Sequence, residues 1–358
     1  MDLLAKRLVI VAGKGGVGKT TTSSAIALHL AKQGKKTLLV TVDPAQRLAD
    51  SLGVPVGFKE AAIQPNLFAM MLDPKSVITE HLQREIPEAE ITEHPMFRYV
   101  AKYMPGLNEL MAIGKLNDFR REGKYDIIVV DTAPTGHALS FLSAPGAIRE
   151  LMSEKSLIKW AIKGYAVWQK LSSTMASAGN LFKKKEDRKS APPDIDFEKI
   201  FADIEKEAQD IQSFITNPDN AAFVVVTLPE KMPVQETIDL HRAATDDLGM
   251  EVHAIVVNKM QPDAFRGQHE QFAALLADRA KFAGKDPLRA AILQAAEFGE
   301  IRRGMNLAHL KTLQAALKLP MVQVPLFKQD VTGLAALAQF QEALFDDANL
   351  LDPDVDLA

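Results

Sequence analysis

The sequence has 358 residues, of which 47% are hydrophobic and 25% are charged, a composition typical of a soluble globular protein. Its net charge of -4 gives no basic field for nucleic acid, and no run of 18 or more apolar residues predicts a membrane-spanning helix. The absence of cysteine excludes disulfides, thiolate zinc sites, iron–sulfur clusters and a cysteine nucleophile. Because the first strand-like run already begins at Leu8, we expect no signal peptide and a cytoplasmic protein.

Short apolar runs rich in Val, Ile and Leu recur along the chain and predict strands that are buried on both faces. The runs are 8–11, 37–42, 67–72, 127–130, 222–227, 252–257 and 321–324. Helical spacing predicts helices between them, at 21–33, 233–248 and 331–345. This alternation predicts an α/β fold with a doubly wound, mostly parallel sheet.

Two helix-rich segments interrupt the alternation, at about 75–124 and 137–218. We therefore expect a single nucleotide-binding domain over 1–358, with a helical subdomain formed by the two insertions. Within the second insertion, the polar, Pro-terminated segment 179–193 predicts a loop. After it, a helix is predicted whose apolar face contains Phe197, Ile200, Phe201, Ile204, Ala208, Ile211 and Ile215.

A glycine-rich segment follows the first strand and precedes the first helix. It satisfies the pattern G-x-x-x-x-G-K-[ST] in the context that a phosphate-binding loop requires. Glycines let successive backbone N–H groups point at phosphate oxygens, and the helix N-terminus adds a positive dipole end. The candidate nucleotide-binding residues here are Gly13, Lys14, Gly15, Gly16, Val17, Gly18, Lys19, Thr20 and Thr21. We expect Lys19 to reach the β- and γ-phosphates and Thr20 to bind Mg²⁺.

Lys14 is a second lysine in this loop, and it cannot easily reach the phosphate that Lys19 covers. The string KGGVGKT resembles the P-loop class of ParA, MinD and the nitrogenase iron protein. In that class the lysine crosses a dimer interface to the partner's nucleotide, where a charge delivered in trans stabilises the transferring phosphoryl group. Lys14 as an ordinary surface lysine is the alternative.

Two aspartates stand at the ends of predicted strands. Asp43 follows the second strand, and Asp131 ends the run Ile127 to Val130. Carboxylates at the carboxyl ends of neighbouring parallel strands face the ligand crevice. We expect Asp43 to activate the attacking water and Asp131 to hold Mg²⁺ through a water molecule. Either aspartate could instead cap a neighbouring element.

The strings DPAQRLADSL, from Asp43, and DTAPTGHALSFL, from Asp131, resemble the ArsA and guided-entry ATPase family. That family includes the arsenite-pump ATPase and the ATPase that targets tail-anchored membrane proteins. The resemblance implies a Mg-dependent ATPase that uses ATP and Mg²⁺. It further implies that Asn258 contacts the adenine, that Glu230 lines the nucleotide site, and that the base is enclosed by Pro325, Leu326 and Phe327.

The chain lacks the cysteines on which members of this family depend for metal and metalloid binding. The targeting ATPase holds its dimer with a Cys-x-x-Cys zinc site and the pump binds its metalloid through thiolates, so neither site is expected here. Our leading hypothesis is an ATPase whose ATP-driven dimer closure is coupled to a hydrophobic client. The alternatives are a nucleotide-switched membrane-positioning or scaffold protein, and, less favoured, a pump subunit. The dimer would form between identical subunits or with a paralogue.

The segment 153–175 reads as an amphipathic helix with lysines on one side. Its apolar side contains four residues that we interpret as a candidate client groove, Trp160, Trp168, Leu171 and Met175. The same pattern also fits core packing of a helical subdomain. Lysines opposite tryptophans fit transient binding to a membrane surface as well.

Overall fold

The computed structural model describes residues 3–42, 47–72, 107–132, 135–151, 197–263, 265, 268–277 and 286–351. Asp43, the loop predicted at 179–193 and the four candidate client residues, Trp160, Trp168, Leu171 and Met175, lie outside these residues. Within the described ranges, no helix is long and apolar enough to cross a membrane.

The strands are β1 (Leu8–Gly13), β2 (Thr37–Thr41), β3 (Ala61–Gln64), β4 (Leu67–Met71), β5 (Ile127–Asp131), β6 (Ala221–Thr227), β7 (Val252–Met260), β8 (Met321–Pro325) and β9 (Leu350–Leu351). The helices are α1 (Lys19–Lys32), α2 (Arg47–Leu52), α3 (Leu107–Arg121), α4 (Thr135–Leu151), α5 (Phe197–Thr216), α6 (Lys231–Arg242), α7 (His269–Ala277), α8 (Pro287–Ala316) and α9 (Gly333–Leu344). A π-helical turn, Ala243–Asp247, extends α6, and a short 3-10 turn, Asp347–Asn349, precedes β9.

The described strands form one sheet in the order β3-β4-β2-β5-β1-β6-β7-β8-β9. The two edge strands, β3 and β9, are antiparallel to their neighbours, and the other pairs are parallel. Strands β1, β2, β5 and β6 are buried along their whole length, as expected for a sheet covered on both faces. The predicted doubly wound α/β fold is confirmed.

The parallel register brings the ends of the central strands together. Asp131 is the last residue of β5 and pairs with Val11 of β1 on one side and with Thr41 of β2 on the other. From β1 the chain passes to β2 on one side, whereas β6 lies on the other side. Ligands of open α/β sheets bind at such a switch point, outside the carboxyl ends of the strands.

The chain divides into two compact units. The sheet unit comprises Met1–Leu72, Tyr125–Leu139 and Pro218–Ala358, and the helical unit comprises Asp73–Lys124 and Ser140–Asn217. The core of the sheet unit contains buried side chains of α1, α9 and the central strands, among them Ile26, Leu39, Val224 and Phe340. The prediction of a single domain with an inserted helical subdomain stays a prediction.

In the helical unit, α3 and α5 pack together. The guanidinium of Arg121 lies 2.9 Å from the carboxylate of Asp210, and Arg120 stacks over the ring of Phe214. The predicted apolar face of α5 is confirmed for its three members whose side chains are described, because Ala208, Ile211 and Ile215 are all buried.

Several elements were not anticipated from the sequence. The short edge strands β3 and β9, the helix α2 and the 30-residue helix α8 were all missed. Helix α8 begins after Asp286, whose carboxylate accepts a hydrogen bond from the backbone N–H of Arg289, with Pro287 in the first turn. Both are typical signals of a helix start.

Candidate functional site

The glycine-rich loop connects β1 to α1 with backbone that only glycine adopts readily. Gly16 and Gly18 have φ values of 82° and 100°, in the left-handed region. A Cβ atom on Gly18 would collide with the side-chain amide of Asn258, and one on Gly13 would collide with the carbonyl oxygen of Val226. The loop is therefore packed tightly against β6 and the end of β7, which fixes its shape before any ligand binds.

Lys19 begins helix α1 and is only 7% exposed. Its Nζ donates a hydrogen bond to the backbone carbonyl of Lys14 across 3.0 Å, so the ammonium lies along the loop that it follows. A long side chain held in this way is pre-oriented toward the space that the loop encloses. The contact of Lys19 with phosphate stays a prediction.

The hydroxyl of Thr20 donates a hydrogen bond of 2.8 Å to Oδ2 of Asp131, which is 2% exposed. The hydroxyl of Thr41, at the end of β2, donates to the same oxygen across 3.3 Å. Hydrogen bonds to a carboxylate are stronger than neutral ones, so the two threonines fix the rotamer of Asp131. The sequence predicted the proximity of Thr20 and Asp131 but missed Thr41.

A hydroxyl and a carboxylate in contact are a donor set that fits Mg²⁺. The ion takes hard oxygen ligands, and it usually keeps several waters and binds through one or two protein groups together with substrate phosphates. The described residues contain no group of three or more His, Asp or Glu that could hold a metal ion by themselves. Thr20 and Asp131, which are in contact, are residues that would hold Mg²⁺ together with waters and substrate phosphates.

A cavity of about 330 Å³ opens beside the loop and is lined by residues that are distant in sequence. Its lining consists of Gly16, Gly18, Lys19, Thr20, Thr21, Arg47, Asp50, Ser51, Thr132, Val331 and Thr332. Of these, the sequence singled out only the five loop residues as nucleotide-binding. Ser51 ties α2 to α1, because its hydroxyl lies 3.2 Å from the hydroxyl of Ser24.

The side chain of Lys14 takes a different direction from that of Lys19. Its Nζ lies 2.6 Å from Oε1 of Glu236, in the second turn of α6, and the two side chains are 40% and 33% exposed. Lys14 does not belong to the described lining of the cavity. Sequence reasoning missed Glu236, since nothing in the local pattern of α6 distinguishes it.

Asn258 lies beneath the loop and joins it to the end of β7. Its Nδ2 donates to the carbonyl of Val17 across 2.8 Å, and its Oδ1 accepts from the backbone N–H of Lys259 across 2.8 Å. Partners of opposite kind on its two ends fix the orientation of the amide. Lys259 itself has a φ of 59°, which turns the chain sharply after Asn258.

Of the other three residues attributed to the base, Pro325 is the last residue of β8, and Leu326 and Phe327 follow it. Pro325 pairs with Met260 at the end of the sheet, and the backbone N–H of Leu326 donates to the carbonyl of Met260 across 2.8 Å. The ring of Phe327 stacks on Phe340 of α9. This loop is therefore joined to the segment that follows Asn258.

Glu230 occupies a different place from the loop residues. It precedes α6 and lines a second cavity, of about 420 Å³, with Pro229, Lys231, Phe298, Ile301, Arg302, Met305, Asn306 and His309. Asn306 joins the segment before α6 to the residue that follows β7, because its Nδ2 donates to the carbonyl of Pro229 and its Oδ1 accepts from the N–H of Gln261.

A glycine-rich loop between a buried strand and a helix, with an aspartate at the end of a neighbouring strand, defines the class of P-loop nucleoside triphosphatases. A model of one family in that class, described as anion-transporting ATPase (ArsA_ATPase), matches residues 6–285. The chain belongs to this family, and it hydrolyses ATP.

Two relatives support the same assignment. A protein named ATPase GET3 from Mycosarcoma maydis is 31% identical over 265 residues, which cover 73% of this chain and 74% of the relative. Another protein named ATPase GET3, from Malassezia globosa, is 31% identical over 268 residues, with the same coverage. The resemblance to the ArsA and guided-entry ATPases is thereby confirmed.

Proposed function

We propose that two subunits of this ATPase close on two ATP molecules, with the Lys14 of each subunit acting on the nucleotide of the other. The observation that carries the proposal is the divergence of two loop lysines. Lys19 lines the cavity beside the glycine-rich loop, whereas Lys14 points to Glu236 on a solvent-accessible surface. An ammonium in that position is accessible to a second subunit.

The proposed hydrolytic step assigns a role to each charged residue of the predicted site. Lys19 and the loop N–H groups would bind the β- and γ-phosphates, and Thr20 and Asp131 would hold Mg²⁺, which would neutralise phosphate charge. Asp43 accepts a proton from water as the water oxygen bonds to the γ-phosphorus. The bond from that phosphorus to the bridging oxygen breaks, and ADP and phosphate leave. Lys14 of the second subunit stabilises the charge of the transferring group.

The adenine end of the site is assigned to Asn258 and to the loop Pro325, Leu326 and Phe327. An amide has two donor and two acceptor positions, and the internal contacts of Asn258 use one of each. One N–H and one lone pair remain for a base, in an orientation already fixed by Val17 and Lys259. Glu230 lines the second cavity, and none of these five residues belongs to the described lining of the cavity beside the loop.

The client of the cycle is proposed to be a hydrophobic helix, such as a segment of a membrane protein. The support is the family resemblance together with the apolar side of the segment 153–175, which contains Trp160, Trp168, Leu171 and Met175. The partner subunit is an identical chain or a paralogue. The protein would work in the cytoplasm and contact the membrane transiently.

Dimer closure is tested with Lys14→Ala. Light scattering with Mg²⁺ and a non-hydrolysable ATP analogue should show a dimer for the wild type and a monomer for the variant, and steady-state ATP turnover should fall with it. Lys318→Ala, which removes an exposed lysine outside the site, is the matched control. A Lys14→Ala protein that forms dimers and hydrolyses ATP like the wild type would contradict the proposal.

Client binding needs a separate experiment. The purified protein is mixed with a membrane segment that aggregates alone, and the soluble fraction is measured with and without nucleotide. We expect solubilisation that is lost in Trp160→Ala or Trp168→Ala. Failure to solubilise, combined with a tryptophan fluorescence response to lipid vesicles, would favour membrane positioning. Stimulation of turnover by arsenite or antimonite would instead favour a pump subunit.

A further inference from the structure

The ion pair between Lys14 and Glu236 lies within one chain and joins the phosphate loop to α6. Its distance of 2.6 Å is that of a direct charge-assisted hydrogen bond. Both side chains remain about one third or more exposed, so water reaches the pair. Exposed ion pairs contribute little to stability and are readily broken. The contact is thus suited to reversible use rather than to holding the fold together.

Glu236 and a phosphate group compete for the same cation. An ammonium that donates to the carboxylate of Glu236 must leave it, wholly or in part, to reach a nucleotide bound by another subunit. Each Lys14 released during closure exchanges the carboxylate for phosphate oxygens. Since phosphates carry more negative charge than one carboxylate, ATP in the second subunit draws the lysine away. Without a nucleotide there, Glu236 retains it.

We infer that Glu236 is a positioning residue that holds Lys14 in the unassembled subunit and releases it only to a partner loaded with ATP. The inference rests on the proposed action of Lys14 in trans. Through Glu236, α6 would then help to set the protein concentration at which the subunits assemble. Removal of the carboxylate removes the competitor, so the subunits should assemble more readily, the opposite of what loss of a merely structural contact would do.

The test measures the protein concentration at which half of the chains are dimeric, in the presence of Mg²⁺ and a non-hydrolysable ATP analogue. Glu236→Gln removes the charge and keeps the shape, and Glu236→Ala serves as a second variant. An exposed ion pair broken in each of two subunits corresponds to a midpoint lowered by about 2- to 30-fold. A midpoint that is unchanged or raised would overturn the inference.

Asp239→Asn provides the matched control, because it removes the same charge from the same helix. Asp239 accepts a hydrogen bond from Gln235, in a contact that does not involve Lys14. Its midpoint should equal that of the wild type. A reduction as large as that of Glu236→Gln would mean that the total charge of α6 is responsible, and the inference would be wrong.

The variant Lys14→Gln distinguishes a failure of the proposed action of Lys14 in trans from a failure of the role assigned to Glu236. If this variant assembles and hydrolyses ATP like the wild type, the proposed action in trans is wrong, whatever Glu236 does. If Lys14→Gln is impaired while Glu236→Gln behaves like the wild type, the action in trans stands and only the role of Glu236 is overturned.

Discussion

The hydroxyl of Thr20 lies 2.8 Å from Oδ2 of Asp131, which connects the first turn of α1 to the carboxyl end of β5. The sheet register produces this contact, since it aligns Asp131 with Val11, shortly before the phosphate loop. Of the two residues that would hold Mg²⁺, Asp131 is positioned by the sheet register and Thr20 by the start of α1.

Asp131→Asn should abolish most of the hydrolysis. The amide keeps the shape of the carboxylate but loses its charge, and we expect a fall in kcat of about 100-fold or more, as for other groups that stabilise transition-state charge. Steady-state ATP turnover over a titration of Mg²⁺ measures it. Asp126→Asn, an exposed residue just before the same strand, is the control and should retain turnover. Equal activity of both variants would contradict the assignment of Asp131.

Gly18→Ala should destroy the loop geometry. The new Cβ would meet the amide of Asn258, and the backbone φ of 100° is itself unfavourable for alanine by about 1–2 kcal/mol. Affinity for a fluorescent nucleotide should be lost. Gly34→Ala is the matched control, because Gly34 also has a positive φ, of 84°, but has open space around it. That variant should lose stability and keep nucleotide affinity.

Asn306→Leu should destabilise the protein by about 1–3 kcal/mol, the usual effect of leaving a buried polar group without its partner. The substitution removes the side-chain amide of Asn306, which forms hydrogen bonds with the carbonyl of Pro229 and with the N–H of Gln261. Urea unfolding measures the change in the free energy of unfolding. Met305→Leu, at the exposed neighbouring position, should change that free energy by less than about 0.5 kcal/mol. A similar loss in both variants would argue against the role of Asn306.

Stability should decrease on acidification because of His29. Burial, aided by the charge of Lys32, lowers the pKa of His29 below its ordinary value of 6.5. The unfolded chain then binds a proton at a higher pH than the folded one, so stability is complete above about pH 6.5 and falls below it. Thermal unfolding at pH values on both sides of 6.5 measures this.

His29→Phe should make the melting temperature less sensitive to pH, because a phenyl ring can keep the stacking on Phe345 without titrating. His241 also contributes, since burial lowers its pKa as well. An identical pH dependence in the variant and the wild type would exclude His29 as a cause.

The fold and the phosphate loop were predictable because they depend on local pattern. Continuous apolar runs define the buried strands, and the loop motif specifies its own backbone and ligand. Thr41 was not predictable, because threonine is an ordinary strand residue and its contact with Asp131 arises from register alone. The contact of Glu236 with Lys14 was not predictable either, because 222 positions separate the two residues in the sequence.

Helix α8 was not predicted because its apolar residues do not all lie on the buried face. Phe298, Ile301 and Met305 are about three fifths exposed, whereas Asn306, a polar residue, is buried. Hydrophobic periodicity assumes the reverse distribution. The features of the sequence that do indicate this helix are its start signals, Asp286 at the cap and Pro287 in the first turn.

Mixing two inactive variants tests the action of Lys14 in trans most directly. Lys14→Gln has a complete site of its own but donates no lysine, whereas Asp131→Asn has a defective site and donates its Lys14. In a mixed dimer, the site of the first variant receives the lysine of the second. At protein concentrations at which mixed dimers form, ATP turnover should reappear, since each mixed dimer has one competent site. A mixture as inactive as its two components would contradict the account.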